Sequence, residues 1–143
     1  VPVQRNASKL ASKMQLGRET VINYLQHLND ARILSFIFRE QRSISQLQKP
    51  NKIYIENTNL SYALKGDPDP GTLRKTFVLS QMMNAEIEVS IPSRGDLLIQ
   101  GDVHVEIGGR NKTFEHLQDI HPKDDIEYGL GNTIPIWLIG FLY

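Results

Sequence analysis

Cysteine is absent from the 143 residues, so neither disulfides nor thiolate metal sites can form. Long apolar runs are missing as well: none reaches the roughly 20 residues that a membrane-spanning helix needs. No signal peptide is recognisable. The most apolar stretch, Ile134 to Tyr143, is interrupted by Pro135 and Gly140 and reads as a buried terminal segment. A cytoplasmic setting with no membrane partner is expected by elimination. Initial methionine is lacking too, and the start at Val1-Pro2 suggests a piece of a longer protein. A chain of this size makes one compact domain or two very small ones.

Net charge is also missing, at +0, but its distribution is uneven. Residues 1–52 carry nine Lys/Arg against three Asp/Glu, a surplus of +6; the rest carry seven against thirteen, a deficit of −6. Such asymmetry suggests two functional parts, of which the basic one is expected to seek polyanions. In that part Leu10, Ala11 and Met14 form an apolar stripe at helical spacing. A tight turn follows at Leu16 to Thr20, with Gly17 suited to a positive φ. A second helix then sets Val21, Leu25 and Leu28 on one face and closes at Ala31. Ile33 to Phe38 and Ile53 to Ile55 read as strands around a polar loop with Arg39, Arg42, Lys49 and Lys52. The pattern predicts a winged helix-turn-helix over residues 1–57. Arg18, Thr20, Asn23, Gln26 and His27 would lie on the recognition side, able to meet base edges of double-stranded DNA. Lys9, Lys13, Arg39 and Arg42 would meet phosphates. The same pattern also suits a protein-interaction or oligomerisation module, and the charge also suits a merely solvated face.

Residues 58–71 read as a connector. Asn57 or Thr58 caps a short helix through Leu64. Gly66 to Thr72 has two glycines at phosphate-loop spacing, but no lysine and two prolines that lack N–H groups, so it is a loop that binds no ATP. The following helix spans about Thr72 to Asn84, with Leu73, Phe77, Val78 and Met82 available to a core.

Residues 72–143 are the acidic part. Glu86 to Ile91 alternates as a half-buried strand. Asp96–Gln100 and Val103–Ile107 form a hairpin whose register decides the chemistry. A two-residue turn would split Asp96 and Glu106 between faces. A three-residue loop pairs Ile99 with Val103 and Leu97 with Val105, matching apolar to apolar, and sets Asp96 across from Glu106 with His104 on the same face. Two like charges that close need a metal, a cation or a shared proton; two carboxylates suit a hard ion such as Mg²⁺. Beyond Gly108-Gly109, Arg110 and Lys112 are placed to swing back only through flexible glycines. Thr113 to Leu117 predicts an amphipathic helix and Asp125 to Tyr128 a further strand. His104, His116 and His121 lack the spacing of a zinc helix, so no histidine metal site is expected.

The order of these parts resembles the C-terminal region of a large group of bacterial and archaeal AAA-type ATPases of poorly known function. There a winged helix precedes a domain similar to restriction-endonuclease-like PD-(D/E)xK folds. The resemblance rests on Leu10-Ala11-Ser12-Lys13, Thr20 to Leu25, Lys52 to Leu60, Gly71 to Phe77, Gly95 to Lys112 and Ile134 to Leu138. It implies that Asp96 and Glu106 correspond to the metal-binding acids, that Gly108 stands where the catalytic lysine belongs, and that Lys75 replaces an acid of the preceding helix. ATP would then bind only in a preceding part of the parent, whose ATPase domain becomes an expected partner.

The sequence thus predicts an α+β chain: a winged helix-turn-helix, then a small, degenerate nuclease-like α/β domain with a mixed or antiparallel sheet. The expected function is non-enzymatic nucleic-acid binding as an accessory region of an ATPase. The alternatives are an interaction or oligomerisation module, and a Mg²⁺-dependent nuclease with a displaced lysine, whose catalytic candidates are Asp96, Glu106 and Lys112.

Overall fold

The structure, a computed structural model, describes residues 7–39 and 50–143. Its first elements are helices α1 (Ala7–Met14) and α2 (Arg18–Asp30), then strands β1 (Leu34–Ile37) and β2 (Lys52–Ile55). The strands pair antiparallel with Leu34 opposite Ile55 and Ile37 opposite Lys52. Ala11 and Val21 are the buried contacts of the helix pair. At the end of α2, the Asn29 side chain accepts the Phe36 N–H at 3.1 Å and so ties the helix to β1.

The turn between α1 and α2 differs from expectation. Gly17 is extended (φ −64°) and acts as the N-cap of α2; the left-handed residue is Gln15, at φ 54°. Leu16 N–H returns to Ala11 O at 3.0 Å and Gln15 N–H to Ser12 O at 3.3 Å. Those two bonds make a Schellman end, which fixes the left-handed position one residue past the helix. Arg32 (φ 55°) ends α2 and Glu86 (φ 58°) ends the long helix described next in the same manner, with Ile33 N–H on Leu28 O and Ile87 N–H on Met82 O.

Helix α3 (Thr58–Lys65) starts as expected, with Asn57 Oδ1 accepting the Leu60 N–H at 2.9 Å. Helix α4 (Pro70–Asn84) starts two residues earlier than predicted. Asp69 caps it by accepting from Thr72 N and Oγ1, both at 2.8 Å, and Pro70 supplies a first turn that needs no N–H. These bonds hold the Asp69 carboxyl below its usual range.

Helix α4 is packed on two sides. Val78 and Met82 join Leu97, Val105, Ile107, Ile136 and Ile139 in one cluster. Leu79 joins Ile37, Tyr54 and Ile91 in another. Packing therefore runs from the β1–β2 hairpin through α4 to the rest of the chain, and Ile91 N–H adds a bond to Phe38 O at 2.8 Å.

Strands β3 (Val89–Ser90), β4 (Leu97–Ile99) and β5 (Val103–Val105) form an antiparallel sheet. β3 is shorter than the alternation of 86–91 predicted, because Glu86 is left-handed and belongs to the helix end. The β4–β5 register is the apolar-matched one, Leu97 opposite Val105 and Ile99 opposite Val103, around a turn with Gln100 and Gly101 at positive φ. Strands β6 (His121–Lys123) and β7 (Thr133–Pro135) pair parallel. Residues 105–108 run parallel to 120–123, with Glu106 N–H on Ile120 O and Gly108 N–H on Pro122 O, each 3.0 Å. The pairing is mostly antiparallel, within an α+β architecture, as expected.

Two predicted elements are not formed. Thr113 to Leu117 is irregular rather than helical, since five residues are too few to offset helix nucleation. Asp125 to Tyr128 is no strand: Asp125 is left-handed at φ 59°. The terminal segment is also less buried than predicted. β7 leads into a 3₁₀ helix, Ile136–Phe141, that buries Ile136 and Ile139 but leaves Trp137 51% and Phe141 77% exposed.

Tyr54, in the second cluster, has its hydroxyl pushed up to about 12 by burial, with the charge of Asp96 adding. An unfolded tyrosine ionises near 10. Its stabilisation is therefore complete below pH 10 and lost as pH rises through 12. Unfolding free energies from urea titrations between pH 9 and 12 should fall further for the wild type than for Tyr54→Phe, by roughly 2–3 kcal/mol. Parallel curves would show that Tyr54 ionises as freely folded as unfolded.

Candidate functional site

Asp96 and Glu106 lie just outside the paired ends of β4 and β5, on the side expected from the register. Their surroundings answer what balances two facing acids. Lys75, from the second turn of α4, places its Nζ 2.5 Å from Asp96 Oδ1. Asp96 Oδ2 accepts the Ile107 N–H at 2.9 Å. Lys112 Nζ lies 3.0 Å from Glu106 Oε1 and 3.9 Å from Asp96 Oδ2. The balance is thus struck by cations of the chain itself. Mg²⁺ between Asp96 and Glu106 would have to compete with Lys75 and the Ile107 N–H for the two oxygens of Asp96.

The placement of Lys112 corrects the expectation of a loosely tethered lysine. Its Nζ also donates to Ile107 O at 2.9 Å and sits 5.4 Å from the centre of the Phe114 ring. Its stem lies across Gly108: a Cβ there would meet Lys112 Cδ at 2.6 Å and Cβ at 2.8 Å. Gly109 makes similar room for the Arg74 guanidinium, 3.2 Å from a built Cβ, and Arg74 in turn binds Asp124 Oδ2 at 2.9 Å. The glycine pair therefore accommodates two cationic side chains rather than loosening the segment. Lys52, expected in the polar loop, is instead the first residue of β2 and half-buried. Burial lowers its pKa, and Lys75 lowers it further while Asp96 opposes both.

A second group adjoins the first through Glu106. Glu106, Asp119 and His121 each offer a ligand atom, all within 4.8 Å of one another, and together could hold a metal. Asp119 and His121 are each 2% exposed. The hydrogen bond from Arg94 Nη1 holds the Asp119 carboxyl below the usual carboxylate range, and the charges of Arg94, His104 and His116 act in the same direction. Phe114 stacks on His121 with centroids 4.0 Å apart. Sequence reasoning missed this group, having sought histidines at helical spacing. The available signal was Asp119-Ile120-His121, whose alternate residues share a side if extended.

The proposed nucleic-acid residues occupy the other end of the sequence. Lys9 and Lys13 are exposed on α1; Arg18, Asn23 and His27 are exposed on α2, and Thr20 is half-buried there. Gln26 is also exposed, with its amide on Asp30 Oδ1 at 2.8 Å. Arg39 is exposed and its N–H is held by Asn51 Oδ1. Arg42 and Lys49 lie outside the described residues. Helix α2 sets one arginine against Glu19 and Asp30, net −1 with neutral histidine. Its outward face is therefore built for hydrogen bonding more than for charge.

No protein family, curated protein or solved structure matches the chain. No helix among the described residues is long and apolar enough to cross a membrane.

Asp96→Ala would leave Lys75 without this partner and take the acceptor from the buried Ile107 N–H. A loss of about 3 kcal/mol is expected, the scale of breaking a buried pair. Lys75→Met should cost less than half of that, since Asp96 keeps Ile107 and Lys112. Equal losses in urea denaturation would mean that the bond to Ile107 contributes nothing.

Proposed function

We propose that this chain is a C-terminal accessory region of an AAA-type ATPase, non-enzymatic by itself, which binds double-stranded nucleic acid through α1, α2 and the β1–β2 hairpin. The observation that carries this reading is the outward face of α2, where Arg18, Asn23 and His27 are exposed beside Gln26. Asn and Gln offer a donor and an acceptor to adenine, and Arg two donors to guanine. Because α2 is itself net −1, attraction to phosphates falls to Lys13 and Lys9 on α1 and to Arg39 on the hairpin. The ATPase context comes from the resemblance in the sequence. The non-enzymatic reading is supported by Asp96, whose oxygens are engaged by Lys75 and by the Ile107 N–H.

Binding of a labelled duplex, followed by fluorescence anisotropy, should weaken steeply with salt. Lys13→Ala should reduce the salt slope by about 1, as expected for one lost phosphate contact. Asn23→Ala should cost roughly 1–3 kcal/mol on a preferred site and little elsewhere. No binding at low salt would sink the proposal.

Incubation of supercoiled DNA with the chain and Mg²⁺ should yield no nicking. Nicking that disappears in both Asp96→Ala and Lys112→Ala would replace this reading with a nuclease using a displaced lysine, with Lys112, 3.0 Å from Glu106, as the candidate.

A further inference from the structure

His121 is a buried histidine with an unsatisfied ring nitrogen. It is 2% exposed, and its Nε2 is buried with no hydrogen-bond partner among the described residues. A buried nitrogen left unpaired is destabilising, so a histidine at this position calls for a ligand. A ring nitrogen of His121 also lies within 4.8 Å of carboxylate oxygens of both Glu106 and Asp119. The burial and the convergence are independent observations with one explanation.

We propose that Glu106, Asp119 and His121 bind one divalent transition-metal ion of the Zn²⁺ class. An imidazole with two carboxylates favours such ions over Mg²⁺ or Ca²⁺, which prefer oxygen donors alone. A tetrahedral ion with bonds of about 2.0–2.2 Å sets its ligand atoms about 3.3–3.6 Å apart, so a group whose atoms lie within 4.8 Å of one another closes with a shift of up to about an ångström. Glu106, its partly exposed member, can supply that shift. The supports are already built. Phe114 stacks on the imidazole. Arg94 engages Oδ2 of Asp119 and Lys112 engages Oε1 of Glu106, one oxygen of each carboxylate. Groups that hold ligands in this way commonly change metal affinity by 10–100-fold. Three protein ligands leave a coordination position open, as in reactive rather than purely structural zinc sites. With two carboxylates already balanced by Arg94 and Lys112, a bound ion would leave the site cationic and suited to an anionic group at the open position. The site is separate from the α2 face and does not depend on nucleic-acid binding there.

The test is equilibrium dialysis of the 143-residue chain against Zn²⁺, with bound metal quantified by elemental analysis. One equivalent is expected, with at least a tenfold loss of affinity in Asp119→Asn and in His121→Gln and no loss in His116→Ala. Circular dichroism establishes that each variant is folded. Should His121→Gln unfold, Asp119→Asn and the visible absorption of Co²⁺ in the wild type carry the test. An imidazole-ligated ion gives a Co²⁺ band that Asp119→Asn removes and His116→Ala leaves. Equal binding by the wild type and Asp119→Asn, or loss in His116→Ala alone, would overturn the site.

Discussion

The carboxylate of Asp96 is the point on which the rest of the structure converges. It is 8% exposed, and it joins α4 through Lys75 to the backbone of Ile107 just past β5. Its charge also reaches Tyr54 and Lys52 of the first hairpin. A buried carboxylate survives only if its charge and lone pairs are met by the protein. Here that requirement ties α4 to the course of the chain after β5.

Around this point, α4 has no single core side. Val78 and Met82 face one cluster and Leu79 the other, and two small polar residues of the helix, Thr76 and Ser80, are buried as well. A helix packed from two directions serves as the common wall of both parts. The opposite charges of the two halves meet there as well: Lys52, from the basic stretch, lies near Asp96 of the acidic one. The imbalance along the sequence is thus partly neutralised in space.

Much of this was legible in the sequence. The apolar matching of Leu97 with Val105 and Ile99 with Val103 selected the register, because only that pairing keeps both strands facing one core. Asn57 announced α3, and the spacing of Val78 and Met82 announced α4. Other features had no local signal. Gln15, Arg32 and Glu86 occupy left-handed positions where glycine is the usual marker, so the conformation that closes these helices had no local signal, although the ends at Ala31 and Asn84 were placed. Lys52 reads as one more loop cation until β2 carries it inward. Asp119 and His121 lie 13 and 15 residues from Glu106, and only the parallel pairing of 105–108 with 120–123 brings them together.

Gly108 carries a consequence of its own. Because the stem of Lys112 rests on its Cα, positions 108 and 112 compete for the same volume. A lysine introduced at 108 would evict the one from 112 instead of adding to it. The two placements of the amine are therefore alternatives, and exchanging one for the other requires both positions to change together. The amine that reaches both Asp96 and Glu106 is thus supplied from position 112, and the volume at Gly108 is what admits it.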